Sequence, residues 1–161
     1  MEIQRIKIPL PLPITRFVMS VGCDPGSVNM GIAIIEGYLD NPYAVLYQIK
    51  MERSGDPIER MKLVQDVMSQ CIFYYREPMI ATIEGSAFSK EFRQTELAEI
   101  RAAVALWLMG KGFPTAIVNP MTIRKKVLGS AKLKPHEVWT DLAKTPDAVQ
   151  ALCCAYFPLI S

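Results

Sequence analysis

At 161 residues, 50% of them hydrophobic, the chain is long enough to bury a core and too apolar to be disordered. A net charge of +2 excludes a bulk polycation, and no uninterrupted apolar run is long enough to cross a bilayer. The four cysteines, Cys23, Cys71, Cys153 and Cys154, have neither zinc-knuckle nor redox-motif spacing, which points to a reducing, cytoplasmic setting.

Pro9, Pro11 and Pro13 punctuate the first residues, so 1–17 are expected to be an irregular extension ahead of a single domain spanning 18–161. The run 18–23 reads as an apolar strand that ends on Asp24, and Pro25-Gly26 then turns the chain into a second apolar strand over 30–35. Residues 43–50, rich in β-branched and aromatic side chains, form a third. The period then changes. Asp56, Pro57 and Glu59 have the pattern of an N-cap, a first-turn proline and a capping-box acid. Ile58, Met61, Val64, Met68, Cys71 and Ile72 follow at helical spacing as a core stripe. Pro78 closes that helix, and the strand over 79–86 delivers Glu84.

A second helix over 94–109, stopped by Gly110, carries Leu97, Ile100, Val104 and Trp107 on one face, widened by Ala102, Ala103, Ala105, Leu106 and Leu108. A helix apolar on more than one side needs cover on more than one side, from the sheet and from either a large core or a partner subunit. A fifth strand over 115–120 and short helices over 122–128, 135–143 and 146–157 complete the chain. Thr145 is the expected N-cap of the last helix, with Pro146 at its first position and Asp147 in its first turn. A three-strand meander followed by helix-strand-helix-strand-helix implies an α/β fold, a mixed five-stranded sheet with helices on both faces.

Three acids thus stand at element ends: Asp24, Glu84 and Asp147. Each alone has a local explanation, a turn or a helix dipole. Together they form a candidate site, because converging carboxylates repel one another unless a cation joins them, and hard oxygen donors suit Mg²⁺ or Mn²⁺. Two such ions make the clamp used for in-line attack at phosphorus. Residues 121–136 hold Arg124, Lys125, Lys126, Lys132 and Lys134 with no acid before position 136, a segment able to track a phosphate backbone or simply to be a solvated loop. The single histidine, His136, leaves no room for a Ser-His-Asp or Cys-His mechanism. The pattern is that of a metal-dependent nuclease.

These residues resemble the RuvC-type Holliday junction resolvases of the RNase H-like superfamily, over most of 18–157. Gly22-Cys23-Asp24-Pro25-Gly26-Ser27 resembles the family's G-x-D-P-G-S opening, and Ile83-Glu84 its second acidic strand. Leu97-Ala98-Glu99-Ile100-Arg101-Ala102 stands in the place of its L-G-Q-A-R-G helix segment. Pro120 with Ile123, Arg124, Val127 and Gly129 resembles its P-x-x-V-K-x-x-V-x-G stretch, and Asp147-Ala148 with Ala151 and Leu152 its closing D-A-x-x-A-L helix. The resemblance implies an RNase H-like sheet, a homodimer binding four-way DNA junctions, and symmetric nicking with Mg²⁺ or Mn²⁺, in a bacterial or phage-infected cell, the compact size fitting a phage-borne member. It makes Asp24, Glu84 and Asp147 the metal ligands. It puts the dimer interface on the second helix, at Leu97, Ile100, Val104 and Trp107. It makes Phe88 a base-stacking residue and Lys90, Arg93, Arg124, Lys125, Lys132 and Lys134 phosphate contacts. One position departs: Lys144 stands where the family usually has another Asp or a His, and a lysine cation cannot bind a metal, so it either contacts the scissile phosphate or leaves the site impaired.

Rival readings are a non-catalytic junction binder on the same fold, which Lys144 favours, and a related nuclease with another branched or hybrid substrate. A sugar-kinase or actin-like ATPase would need two such domains to enclose a nucleotide.

Overall fold

The computed structural model describes all residues except 73, 74, 76–78 and 87–93. Its elements run β1 (Glu2–Pro9), β2 (Met19–Asp24), β3 (Asn29–Glu36), β4 (Tyr43–Lys50), α1 (Pro57–Ile72), β5 (Ile80–Glu84), α2 (Gln94–Gly110), β6 (Thr115–Val118), α3 (Pro120–Leu128), α4 (Pro135–Val138) and α5 (Pro146–Tyr156), with 3₁₀ turns at Thr140–Leu142 and Phe157–Leu159. They build one six-stranded mixed sheet of order β1-β4-β3-β2-β5-β6. The expected α/β class with a mixed sheet holds, with one strand more than expected. β2, β3 and β4 form the antiparallel meander, and β5 returns parallel to β2.

The extra strand corrects the expectation that 1–17 is irregular. Residues 2–9 pair antiparallel with β4 along their whole length, from Glu2 opposite Lys50 to Pro9 opposite Tyr43. The strand was hidden because Ile3 packs on one face of the sheet while Ile6 and Ile8 pack on the other, so its apolar residues do not alternate. Beyond it, the proline-rich segment is held against the chain's end: the Leu12 amide donates to the Tyr156 hydroxyl at 3.0 Å, and the Thr15 amide donates to the Leu159 carbonyl at 2.9 Å.

Strand alternation sorts side chains into two cores. Met19, Val21 and Cys23 of β2, Met30, Ile32 and Ile34 of β3, and Ala81 and Ile83 of β5 face α1 and α2. Ala33 and Ile35 of β3 and Ala44 and Leu46 of β4 face α3 and α5. In α1 the buried stripe is Val64, Val67, Met68, Cys71 and Ile72; the expected first member, Ile58, is exposed in the opening turn, where Asp56 Oδ1 caps the Ile58 amide. Arg60 of α1 pairs with Glu99 of α2 at 2.6 Å, tying the two helices together. The expected helix over 135–143 breaks at Trp139, whose ψ of 73° is not helical.

The second face is set by α5, a helix of small residues buried from Ala148 to Tyr156. Its stripe Asp147, Ala151, Ala155 repeats every four residues, about 6 Å, and lies along Asp24, Gly22, Ser20 of β2, which repeat every two residues, about 6.7 Å. Ser20 Oγ donates to the Ala155 carbonyl at 2.7 Å. A Cβ on Gly22 would overlap the Ala151 carbonyl, and a Cβ on Gly31 the Asp147 carbonyl, so the helix backbone rests directly on the sheet at these two glycines. Gly31→Ala is expected to lift α5 and cost about 3 kcal/mol, lowering the melting temperature by ~6–12 °C. Thermal unfolding by circular dichroism checks it; an unchanged midpoint would mean α5 is not seated as described.

Candidate active site

The same alternation that puts Ser20, Gly22 and Asp24 under α5 also puts Thr82 and Glu84 there, because β2 and β5 run parallel with Cys23 opposite Ile83. Asp24 and Glu84 therefore end neighbouring strands side by side on one face. Asp24 is also paired across β3 with Gly31, and Gly31 with Gln48 of β4. One row of the sheet thus reads Gln48, Gly31, Asp24, Glu84, and the bare backbone of Gly31 is where the first turn of α5 lands. This brings Asp147 to the row.

Thr145 is not the cap that the sequence predicts. Its hydroxyl donates back to the Leu142 carbonyl at 3.1 Å. Gln48 caps the helix from the sheet instead: its Oε1 accepts from the Asp147 and Ala148 amides at 3.1 and 3.0 Å, and its Nε2 donates to Asp147 Oδ2 at 2.6 Å. A second amide, Gln150 of α5, donates to Glu84 Oε1 at 3.3 Å. Arg101 of α2 holds the end of β5 by donating Nε to the Glu84 carbonyl at 3.2 Å. Gln48 and Gln150 were not singled out from the sequence. The available signal was a lone amide in an otherwise apolar strand and in an apolar helix, since a buried polar residue is the informative exception.

Asp24 sits among like charges. Burial pushes its carboxyl well above the usual carboxylate range, and Glu84, through its charge and a hydrogen-bonding contact, and then Asp147 push the same way; Arg124 opposes them. Arg124, on α3, is half-buried, and its Nε is buried with no hydrogen-bond partner among the described residues. It is thus a guanidinium turned toward the acids with a donor to spare.

The donor chemistry fits a hard divalent cation: three carboxylates from three elements, one of them strained by the charges of the other two. As they stand, the side chains are not a closed cage. Among the described residues no three Asp, Glu, His or Cys groups are arranged to hold a metal ion, and Asp147 and Glu84 each give an oxygen to a glutamine amide.

The remaining expected residues divide. Lys144 is exposed and lines, with Gln48 and Asp147, a cleft of about 360 Å³ beside the acids. Lys125, Lys132 and Lys134 are exposed, whereas Lys126 donates to the Phe157 carbonyl at 2.7 Å and lies over the Phe157 ring. The basic stretch is therefore not one surface patch: Arg124 is turned inward and Lys126 is tied to the chain's end. Phe88, Lys90 and Arg93 lie outside the described residues. On α2, two of the expected interface residues, Ile100 and Val104, are enclosed in the core between α2 and the sheet, and Leu97 and Trp107 are half-buried. The face left open is Ala98, Ala102, Leu106 and Met109, with Leu106 and Met109 68% and 59% exposed.

Residues 20–145 match the family of crossover junction endodeoxyribonuclease RuvC. The chain belongs to the RuvC family. Asp24 and Glu84 fall within the matched residues and Asp147 just beyond them. The RuvC structure of Thermus thermophilus superposes with a TM-score of 0.67 at 17% identity, covering 87% of this chain and 92% of that one. The structure of T. thermophilus RuvC in complex with a Holliday junction substrate gives 0.63 at 15% identity, covering 86% and 90%. At these identities the likeness establishes the shared fold. No curated protein sequence matches significantly. Membership in the RuvC family makes the chain one of the junction-cleaving nucleases, and no helix among the described residues is long and apolar enough to cross a membrane.

The strain on Asp24 has a measurable sign. Its folded pKa lies above the unfolded value of about 3.9, so the folded state holds the proton more tightly. The stability this supplies is complete below the unfolded pKa and is lost as pH rises through the folded one. In metal-free protein, Asp24→Asn is therefore expected to be more stable than the parent at about pH 8, by ~2–4 °C for each kcal/mol of repulsion relieved, with the gap closing toward pH 4. Differential scanning calorimetry in EDTA checks this; a variant that melts lower than the parent at pH 8 would contradict it.

Proposed function

We propose that this RuvC-family chain is a divalent-metal-dependent endonuclease that resolves four-way DNA junctions as a homodimer, with Asp24, Glu84 and Asp147 as the Mg²⁺ or Mn²⁺ ligands. The observation that carries this is the meeting of three acids from β2, β5 and α5 at one end of one sheet face, with their repulsion borne by Asp24. When bound, such ions supply activation of water and neutralisation of charge at the phosphodiester.

The chain's own residues then do the positioning. Gln48 orients Asp147 and Gln150 orients Glu84, each by an amide that donates to one carboxylate oxygen. The half-buried guanidinium of Arg124, on the same side as the acids, is suited to an oxygen of the scissile phosphate, in the charge-assisted geometry guanidinium groups favour. Lys144, at the open side of Asp147, adds a cation for the same strand in place of the family's further ligand. The structure of T. thermophilus RuvC with a Holliday junction supports the substrate class.

The test is a mobile four-way junction mixed with the protein and Mg²⁺ or Mn²⁺, with nicks mapped on sequencing gels. Paired nicks at symmetric positions are expected, absent in EDTA. Asp24→Asn is expected to lower nicking at least ~100-fold while junction binding persists, because one ligand is lost and the basic groups remain. Tight junction binding by the parent with no nicking in either metal would instead favour the non-catalytic reading, for which Lys144 and the absence of a ready cage among the described residues speak.

The open stripe of α2 supports the homodimer. Ala98, Ala102, Leu106 and Met109 follow 4-4-3 spacing, the seam of a helix packing on another helix. Leu106→Glu is expected to yield a monomer by light scattering at micromolar concentration without unfolding the chain. A dimer that persists in this variant places the interface elsewhere.

A further inference from the structure

β1 lies outside the residues matched to the family, yet its register carries it into the site. Gln4 is paired with Gln48, so the row that holds Glu84, Asp24, Gly31 and Gln48 continues onto β1. The next row on the same face holds Asn29, Lys50 and Glu2. Gln48 and Gln4 of the first row and Asn29, Lys50 and Glu2 of the second floor the cleft of about 360 Å³, and the first turn of α5 with Lys144 walls it. At about 4.8 Å between strands, Gln48 and Gln4 stand roughly 10 and 14 Å from Asp24.

We propose that this cleft is a subsite for a nucleotide of the DNA strand flanking the cut, and that β1 supplies its outer half. The proposal rests on the nuclease reading above. Gln48 is committed to α5, but the side chains of Gln4, Asn29, Lys50 and Lys144 are exposed and have no hydrogen bond or ion pair among the described residues. Two ammonium groups supply charge for one phosphate, and two amides supply both donors and acceptors for sugar and base edges. Glu2, opposite Lys50, adds an acceptor at the outer end, suited to a base amino group and not to a phosphate. The lining residues are polar or charged apart from Pro146, with their aliphatic stems between the polar tips, which suits a nucleotide strand laid over the surface. The same floor reaches Asp147, so a strand whose phosphate is at the acids runs on into the cleft.

The experiment measures four-way junction binding in EDTA by fluorescence anisotropy across a range of salt, for the parent, Lys50→Ala, Lys50→Gln and Gln4→Ala. Both Lys50 variants are expected to weaken binding by about 3–10-fold and to reduce the slope of log affinity against log salt by about 1, the signature of one lost phosphate contact. Gln4→Ala is expected to weaken binding while leaving that slope unchanged. A photoreactive amino acid at position 4 should crosslink to nucleotides within about two or three of the mapped nick, as the strand spacing requires. Parental affinity and slope in both Lys50 variants, or crosslinks confined to distant parts of the arms, would overturn the subsite. A parent protein that neither prefers junctions nor nicks them would overturn the nuclease reading itself, a different result from a parent that nicks normally beside indifferent Lys50 variants.

Discussion

The architecture depends on the seating of α5 backbone-first on Gly22 and Gly31. Glycine there removes the side chains that would hold the helix a full layer away, the roughly 10 Å typical when side chains interdigitate. The small residues Ala148, Ala151 and Ala155 meet the sheet from the helix side. Everything at the acidic end follows from this contact. The helix N-terminus arrives over Gly31, between Asp24 on one neighbouring strand and Gln48 on the other, and Asp147 arrives with it.

Gln48 makes that arrangement cooperative. A local N-cap serves only its own helix, whereas this amide binds the first amides of α5 from the middle of the sheet and the Asp147 carboxylate as well. Helix docking, helix capping and carboxylate orientation are therefore one event. The arrangement also costs stability, because Asp24 is partly buried among acids. Like charges held this close are relieved by a proton or by a counter-charge.

Lys144 and β1 both border the cleft beside the acids. Lys144 stands just ahead of α5, and β1 extends each row of the same sheet face by one residue. Both fall on the open side of the acids, where they shape the cleft.

Much of the fold was legible in the sequence. Strands ending on Asp24 and Glu84, the Gln94–Gly110 helix and the Pro146 start of α5 carry strong local signals: apolar runs, a turn dipeptide, a stop glycine and an N1 proline. Local signals also fixed which residue types stand at element ends, and so nominated the three acids. They did not reveal β1, whose isoleucines serve two faces, nor the inward turn of Ile100 and Val104, since a helix apolar on several sides does not say which side meets the sheet. They did not reveal Gln48 either, because its partners lie 99 and 100 residues away in the chain. Composition and periodicity determine elements and their ends; only the tertiary structure decides register, and register, acting through the twofold alternation of strands, chooses which side chains share a face.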